Sequence, residues 1–317
     1  MDSSIHKKGL SRKGAELWLG RTALMGVSRL ALALPEKTAL RVGAGLGALW
    51  YRSSRRYRLV AVNNLRQVYG NEWDHARIEQ TALDMFRHLG MNLIEFLRFS
   101  GTDLRRLDTL VSVEGEEYAR EALSRGHGIL AITAHYGNFE LFGATFVRKG
   151  YPLSVIARDA DDAPTNDFIN GIRERMGYRV FSRRNAARQS IGVLRRNEVL
   201  GVLPDQNDTQ GIFVPFFGRL AATASGPAYM AIRTGATVLP AFIHREPDGS
   251  HIVKIFPPIE YVVSDDLQAD VKALTVQINK AVETAVKEHP EQWLWLHNRW
   301  KTRPPEELEG GCGDPVQ

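Results

Sequence analysis

The sequence predicts an α/β fold, a mostly parallel central sheet flanked by helices, with a helical segment ahead of it. Two patterns carry that expectation. From Asn63 to Phe99 apolar residues recur at helical spacing, as in Ile78, Leu83, Phe86, Leu89, Leu93, Phe96 and Leu97, with little turn punctuation between them. After Val111, short apolar runs bounded by Gly, Pro or charge alternate with longer amphipathic stretches, and such alternation requires crossover helices joining parallel strands. Strands are expected at 128–133, 153–157, 199–203, 238–243 and 251–256. Helices are expected at 139–149, 166–176, 186–196, 225–234 and 270–288. No internal repeat or low-complexity linker interrupts the chain, so three regions suffice: N-terminal membrane-associating helices and a basic cluster at 1–60, the α/β domain at 61–305, and a flexible tail at 306–317.

With 317 residues, 44% of them hydrophobic, the chain is long enough to bury a substantial core, which argues against disorder. Its 41 Lys and Arg against 36 Asp and Glu give a formal charge of +5. That balance favours anionic partners such as phospholipid surfaces, phosphorylated glycolipids or an acidic carrier protein. Nucleic acid is disfavoured, because the charge is modest and no recognition motif is present. The single cysteine, Cys312, sits in a Gly-rich tail. It permits neither a disulfide framework nor a cysteine metal cluster, and points to a reducing compartment. No other histidine or carboxylate spacing suggests a metal, and none is expected.

The apolar stretch at 18–34 is interrupted by Arg21 and Arg29. Eight residues apart, they lie about 80° from each other on one side of a helix whose other side carries Leu19, Leu24, Val27, Leu30 and Leu34. This pattern fits an interfacial helix better than a signal peptide or a span, which needs ~20 apolar residues without a central arginine. Beyond Pro35, a second apolar stretch with Gly43, Gly45 and Gly47 leads into Arg52, Arg55, Arg56 and Arg58. Apolar surface beside clustered arginine suits an anionic membrane face. The alternative is a pair of helices packed on the main domain.

Ligands of open parallel sheets bind beyond the carboxyl ends of the strands. Those ends read Thr133-Ala134-His135, Ala157-Arg158-Asp159 and Leu203-Pro204-Asp205-Gln206, placing a histidine, an arginine and a carboxylate on one rim. His135 and Glu140 are five apart, ~140° from each other on a straight helix, and share no helix face. If His135 closes a strand, Gly137 turns the chain and Asn138 caps the next helix, Glu140 falls in the first helical turn. There it is expected to swing back to the imidazole, fix its tautomer and stabilise the imidazolium. With no nearby cysteine and no serine elbow, the pair suits activation of a substrate hydroxyl.

The segment His135-Tyr136-Gly137-Asn138-Phe139-Glu140 resembles the His-x4-Glu motif of the lipid A biosynthesis acyltransferases, the late lauroyl and myristoyl transferases of Gram-negative bacteria. The resemblance continues through Arg158, the Asp-Ala-Pro at 162–164, Leu203-Pro204-Asp205-Gln206 and Val214-Pro215-Phe216-Phe217-Gly218 with Thr223. It closes with Pro290-Glu291-Gln292-Trp293-Leu294-Trp295-Leu296-His297 and Arg299-Trp300-Lys301-Thr302-Arg303-Pro304, and so covers roughly residues 63–304 in order. It implies an enzyme at the cytoplasmic face of the inner membrane that takes an acyl group from the thioester of acyl carrier protein, needs no other cofactor, and esterifies a hydroxyl of a glucosamine-based lipid precursor. His135 would be the general base and Glu140 its partner. Arg158 and Asp205 match further active-site positions, with Arg158 on the thioester oxyanion or a substrate phosphate. Asn138, Gln206 and Thr223 lie in the matched blocks and are expected on the substrate side. The arginine-interrupted N-terminus departs from the family's single clean membrane helix, which leaves spanning open but not association. Another glycolipid such as a mannosylated inositol lipid, or a lysophospholipid, is the alternative acceptor. A non-catalytic protein binding membrane or carrier protein is the alternative class.

Four further features carry two readings each. Arg183, Arg184, Arg188, Arg195 and Arg196 either receive a carrier protein or glycolipid phosphate or form a solvated face. The run 213–217 either lines an acyl groove or packs the core. Trp293, Trp295 and Trp300, with Arg299, Lys301 and Arg303, either anchor at a membrane interface or stitch the C-terminus to the core. His244 and His251 flank a Pro-Asp-Gly turn and either form a hairpin with exposed histidines, the expected outcome, or serve a metal.

Overall fold

The computed structural model describes residues 26, 28–157, 163–182 and 186–309. Residues 28–33 are helical, and α1 (Glu36–Ser53), α2 (Arg55–Tyr69) and α3 (His75–Arg98) follow. Then come β1 (Val111–Glu114), α4 (Glu116–Ser124), β2 (Ile129–Ile132), α5 (Phe139–Arg148), β3 (Leu153–Ala157), α6 (Ala163–Arg175), β4 (Arg179–Ser182), α7 (Ala186–Arg195) and β5 (Val199–Val202). The hairpin β6 (Ile212–Phe216) and β7 (Arg219–Thr223) precedes α8 (Gly226–Thr234), β8 (Thr237–Arg245), β9 (His251–Ile255) and α9 (Leu267–Glu288). The expected α/β class is therefore present, and the five expected strands and five expected helices all occur.

Seven strands form one sheet in the order β1-β9-β8-β2-β5-β3-β4, parallel except for the β8–β9 hairpin. The central strand β2 is buried throughout. Its residues alternate between two apolar layers: Leu130 and Ile132, with Ala134 just beyond the strand, face one, Ile129 and Ala131 the other. Both faces of the sheet are thus covered, as a parallel sheet requires.

The strands β1 and β4 were not expected from the sequence. Each has four residues, and one in each is charged, so neither shows the continuous apolar run of the central strands. The 244–251 hairpin is present, but its histidines are not exposed: His244 is 8% and His251 0% accessible. Strand β8 is buried along its whole length, and His251 on β9 is covered by Glu95 of α3.

Helices α1 and α3 cross at glycines. A Cβ on Gly43 would stand 2.7 Å from the Gly90 carbonyl oxygen, and one on Gly47 would stand 2.0 Å from that of Phe86. No larger residue fits this approach without separating the helices. Ala39, Gly43, Gly47, Ala48 and Tyr51 face inward, while Val42, Leu46, Leu49 and Trp50 form an exposed apolar face. The reading of this region as helices packed on the main domain holds for the inner face, and the outer face leaves apolar side chains uncovered. The 28–33 turn is fastened by Ser28 Oγ donating to the Leu97 carbonyl at 3.3 Å and by Arg98 Nη1 donating to that of Leu34 at 2.9 Å. Leu19, Arg21, Leu24 and Val27 lie outside the described residues. No described helix is long and apolar enough to cross a membrane.

Trp293, Trp295 and Trp300 are core residues. Trp293 and Trp295 meet edge-on at 4.6 Å and Phe216 packs on Trp293 and Trp300, so this C-terminal block stitches the chain to the core.

Candidate active site

Register builds the centre of the site. In the parallel pair β2–β5, Ile132 is opposite Val202. Three residues beyond each lie His135 and Asp205, so the two side chains leave the sheet side by side. The His135 backbone N–H donates to Asp205 Oδ2 at 2.9 Å, and His135 Nδ1 lies 2.9 Å from Asp205 Oδ1. Trp293 Nε1 donates to Oδ2 at 2.8 Å. Burial of Asp205 would raise its pKa, but the His135 charge and these donors outweigh it and hold the carboxyl below its usual range. An ionised Asp205 accepts only, so the imidazole carries its proton on Nδ1 and keeps a lone pair on Nε2. Gln206 Nε2 lies 3.3 Å from that Nε2.

Glu140 is not the imidazole's partner, contrary to the expectation from spacing. Its carboxylate is bound by Arg173, with Nη2 to Oε1 at 2.5 Å and Nε to the two oxygens at 3.2 and 3.1 Å, and by the Tyr178 hydroxyl. The helix explains this: with Asn138 as cap, Glu140 in the first turn of α5 faces α6 and the start of β4, where Arg173 and Tyr178 stand. Burial would lower the Arg173 pKa, but the bonds and charge of Glu140 raise it. Burial also lifts the Tyr178 hydroxyl well above its normal range, with the Glu140 charge adding to it.

The turn between His135 and Glu140 is fixed from beneath. Gly137 has φ +54, and a Cβ there would come 1.8 Å from the Ile243 carbonyl oxygen, so only glycine fits. Its N–H donates to the Gln292 carbonyl at 2.9 Å, and its own carbonyl accepts from Asn92 Nδ2 at 2.7 Å. Asn138 caps α5 as expected, accepting from the Leu141 N–H at 3.3 Å, but it does not reach the substrate side. It is buried, and its Nδ2 donates to Glu95 Oε2 at 2.5 Å. Glu95 is held in turn by Arg245 (Nη1 to Oε1 at 2.5 Å, Nη2 to Oε2 at 2.6 Å) and by His251 at 3.3 Å. Burial would raise the Glu95 pKa, yet the hydrogen bonds from Arg245 and His251 bring it down to about 2.

A cavity of about 460 Å³ opens over these groups. Its wall includes His135, Phe139, Glu140, Arg173, Tyr178, Gln206, Asn207 and His297. Among the described residues neither serine nor cysteine lines it. Thr223, expected near substrate, is instead buried against Arg299, whose Nη2 donates to its Oγ1 at 2.6 Å. The run 213–217 contributes nothing to the wall, and Phe216 lies in the core. Arg158, Arg183 and Arg184 lie outside the described residues. Arg188 and Arg195 are exposed on α7, and Arg196 pairs with Glu198 at 3.0 Å. Arg173, Tyr178 and His297 were not singled out as functional from sequence, because Arg173 stands 33 residues from Glu140 and no local spacing links them.

The model of the family described as bacterial lipid A biosynthesis acyltransferase matches residues 6–302. The chain belongs to that family. This acyltransferase is 29% identical over 290 residues to the lipid A biosynthesis lauroyltransferase of Escherichia coli (strain K12), covering 90% of this chain and 92% of that protein. It is 27% identical over 294 residues to the palmitoleoyltransferase of the same strain, at 90% and 91% coverage. It is also 26% identical over 212 residues to the phosphatidylinositol mannoside acyltransferase of Mycolicibacterium smegmatis (strain ATCC 700084 / mc(2)155), covering 65% of this chain and 67% of that protein. In this member of the family His135 lines the cavity with the Asp205 carboxylate at its Nδ1, and among the described residues no serine or cysteine lines that cavity.

Proposed function

We propose that the enzyme transfers a fatty acyl group from the thioester of acyl carrier protein directly to a hydroxyl of a lipid A precursor, working on the cytoplasmic face of the inner membrane. One observation carries the chemistry: His135, oriented by Asp205, presents the Nε2 lone pair to a cavity whose wall, among the described residues, has no serine or cysteine. The acceptor hydroxyl displaces the Gln206 amide at Nε2 and gives its proton to His135 as its oxygen attacks the thioester carbonyl carbon. The tetrahedral intermediate collapses, the C–S bond breaks, and the departing sulfur takes the proton from His135. Glu140 is a positioning residue in this reading: it fixes Arg173 and Tyr178, which line the same cavity as His135.

The lipid A acceptor is supported by the family and by relatives whose names state it and whose alignments span nine-tenths of the chain. A mannosylated inositol lipid is the second reading, favoured by the shorter match to the mannoside acyltransferase. Membrane association is supported by the outward face of α1, where Leu49 is 60% exposed among Val42, Leu46 and Trp50, with Arg41, Arg52 and Arg56 exposed around it. A carrier-protein donor is supported by the exposed Arg188 and Arg195 and by the +5 charge.

The test is an acyl-transfer assay with acyl carrier protein charged with C12 to C16 chains and a tetra-acylated lipid A precursor, read by mass spectrometry. A product heavier by one acyl chain, absent with His135→Ala, is the expected result. Transfer to a mannosylated inositol lipid alone would replace the acceptor. No transfer and no His135-dependent thioester hydrolysis would overturn the reading.

A further inference from the structure

Three consecutive residues after β5 address two imidazoles. Asp205 binds Nδ1 of His135, Gln206 faces its Nε2, and the Asn207 backbone N–H donates to Nε2 of His297 at 2.8 Å. His135 and His297 line the same cavity. Resting on the acyl-thioester reading above, we propose that His297 is a second catalytic imidazole whose Nδ1–H donates to the thioester carbonyl oxygen as that oxygen becomes an oxyanion.

The tautomer follows from the donor. A backbone N–H can only donate, so His297 Nε2 accepts, the ring is neutral, and its proton is on Nδ1. Among the described residues no group takes that N–H. Among the described wall residues, Arg173 and Tyr178 are committed to Glu140 and the Asn207 amide to Thr302 Oγ1 at 3.0 Å, while the Gln206 amide faces His135 and the Thr133 hydroxyl is buried without a protein partner. Burial lowers the His297 pKa; Asp205 opposes this, while His135, Arg299 and Lys301 add to it. A ring that stays neutral does not compete with His135 for the acceptor's proton.

The ring is also held in place. Asn64 Nδ2 donates to the carbonyls of Trp295 and His297 at 2.7 and 2.8 Å, and the Thr302 N–H returns to Asn207 Oδ1 at 3.2 Å. A donor fixed before the reaction needs no reorganisation when charge develops, which is the condition for oxyanion stabilisation. In the step itself, the acceptor oxygen bonds to the carbonyl carbon and the C=O π pair moves onto oxygen, where the His297 N–H meets it. His297 keeps its proton throughout, and the sulfur leaves with the proton that His135 took.

The experiment compares wild type with His297→Phe, which keeps a ring without the donor, and His297→Asn, which returns an N–H near the Nδ1 position. Acyl transfer and thioester hydrolysis are both followed, since each forms the same oxyanion. In His297→Phe, kcat for both reactions should fall by about 10²–10³-fold with KM for the donor little changed, and His297→Asn should recover at least tenfold of the loss. In wild type, ¹⁵N NMR should show the Nδ1–H tautomer of His297, neutral at pH 7, a readout independent of turnover. An unchanged kcat in His297→Phe, a loss confined to KM, or an Nε2–H or protonated ring at pH 7 would overturn the proposal. A wild type that neither transfers nor hydrolyses the thioester would instead sink the function on which it rests.

Discussion

At the scale of residues, two carboxylates near the base have separate tasks, and each makes its own prediction. Glu140 is bound by Arg173 and Tyr178, so its removal should act through the cavity wall. Glu140→Ala and Arg173→Ala should each lower stability by about 1–3 kcal/mol together with activity, and the double variant should cost less than their sum by at least 0.5 kcal/mol. Denaturant unfolding of the four proteins gives that coupling; additive losses would show that the pair is not a unit. Glu95 is buried beneath the turn, and replacing it leaves Arg245 without its partner. Glu95→Gln should cost about 3–5 kcal/mol at pH 7. Its pKa is lowered from 4.5 to about 2, so its stabilisation is fully present above about pH 4.5 and is lost as pH falls toward 2. The gap between wild type and Glu95→Gln should therefore close across that window when unfolding is followed against pH. The sequence placed Asp205 on the rim because strand ends collect ligands, but named Glu140 as the partner. Spacing shows that Glu140 lies in the first helical turn; it does not show which neighbour that turn faces.

At the scale of elements, the strand-to-helix connection at Gly137 decides whether His135 is presented at all. Gly137→Ala meets the Ile243 carbonyl oxygen and a left-handed backbone together. It should reduce acyl transfer at least a hundredfold, since a misplacement of about 1 Å costs that much in a positioned reaction, while circular dichroism retains the helical signal. Retention of more than a tenth of the activity would show that the turn tolerates the side chain. The central strands and their crossover helices were legible because their apolar runs and amphipathic periods are long. Edge strands β1 and β4 and the small β6–β7 hairpin were not, since a short strand with charged or turn residues has no distinctive period. The exposed-histidine expectation failed for a related reason: a turn motif identifies a hairpin but not the strand next to it.

At the scale of the whole molecule, α1 joins the α/β sheet and its helices to an apolar outer surface. Its inner face is locked to α3 by glycine contacts, and α3 in turn supplies Asn92 and Glu95 beneath the Gly137 turn. The same helix layer therefore supports the site and presents the exposed face. Leu46→Glu with Leu49→Glu should reduce binding to anionic phospholipid vesicles tenfold or more, because each buried leucine contributes about 1.5–3 kcal/mol to partition. Solution stability should change little, as both side chains are exposed. Unchanged co-sedimentation with vesicles would remove α1 from the membrane surface. Apolar and basic residues in this region were visible in sequence; which of them turn outward depends on the glycine crossing with α3, nearly fifty residues away.

The most direct measurement of the central assignment, that Asp205 rather than Glu140 sets His135 up as the base, is the steady-state transfer rate of Asp205→Asn. This change keeps the shape of the side chain but removes the charge that fixes the Nδ1–H tautomer, so kcat should drop by about 10³–10⁴-fold. The thermal midpoint should remain near that of the wild type. A variant that kept more than a tenth of the wild-type rate would contradict the assignment.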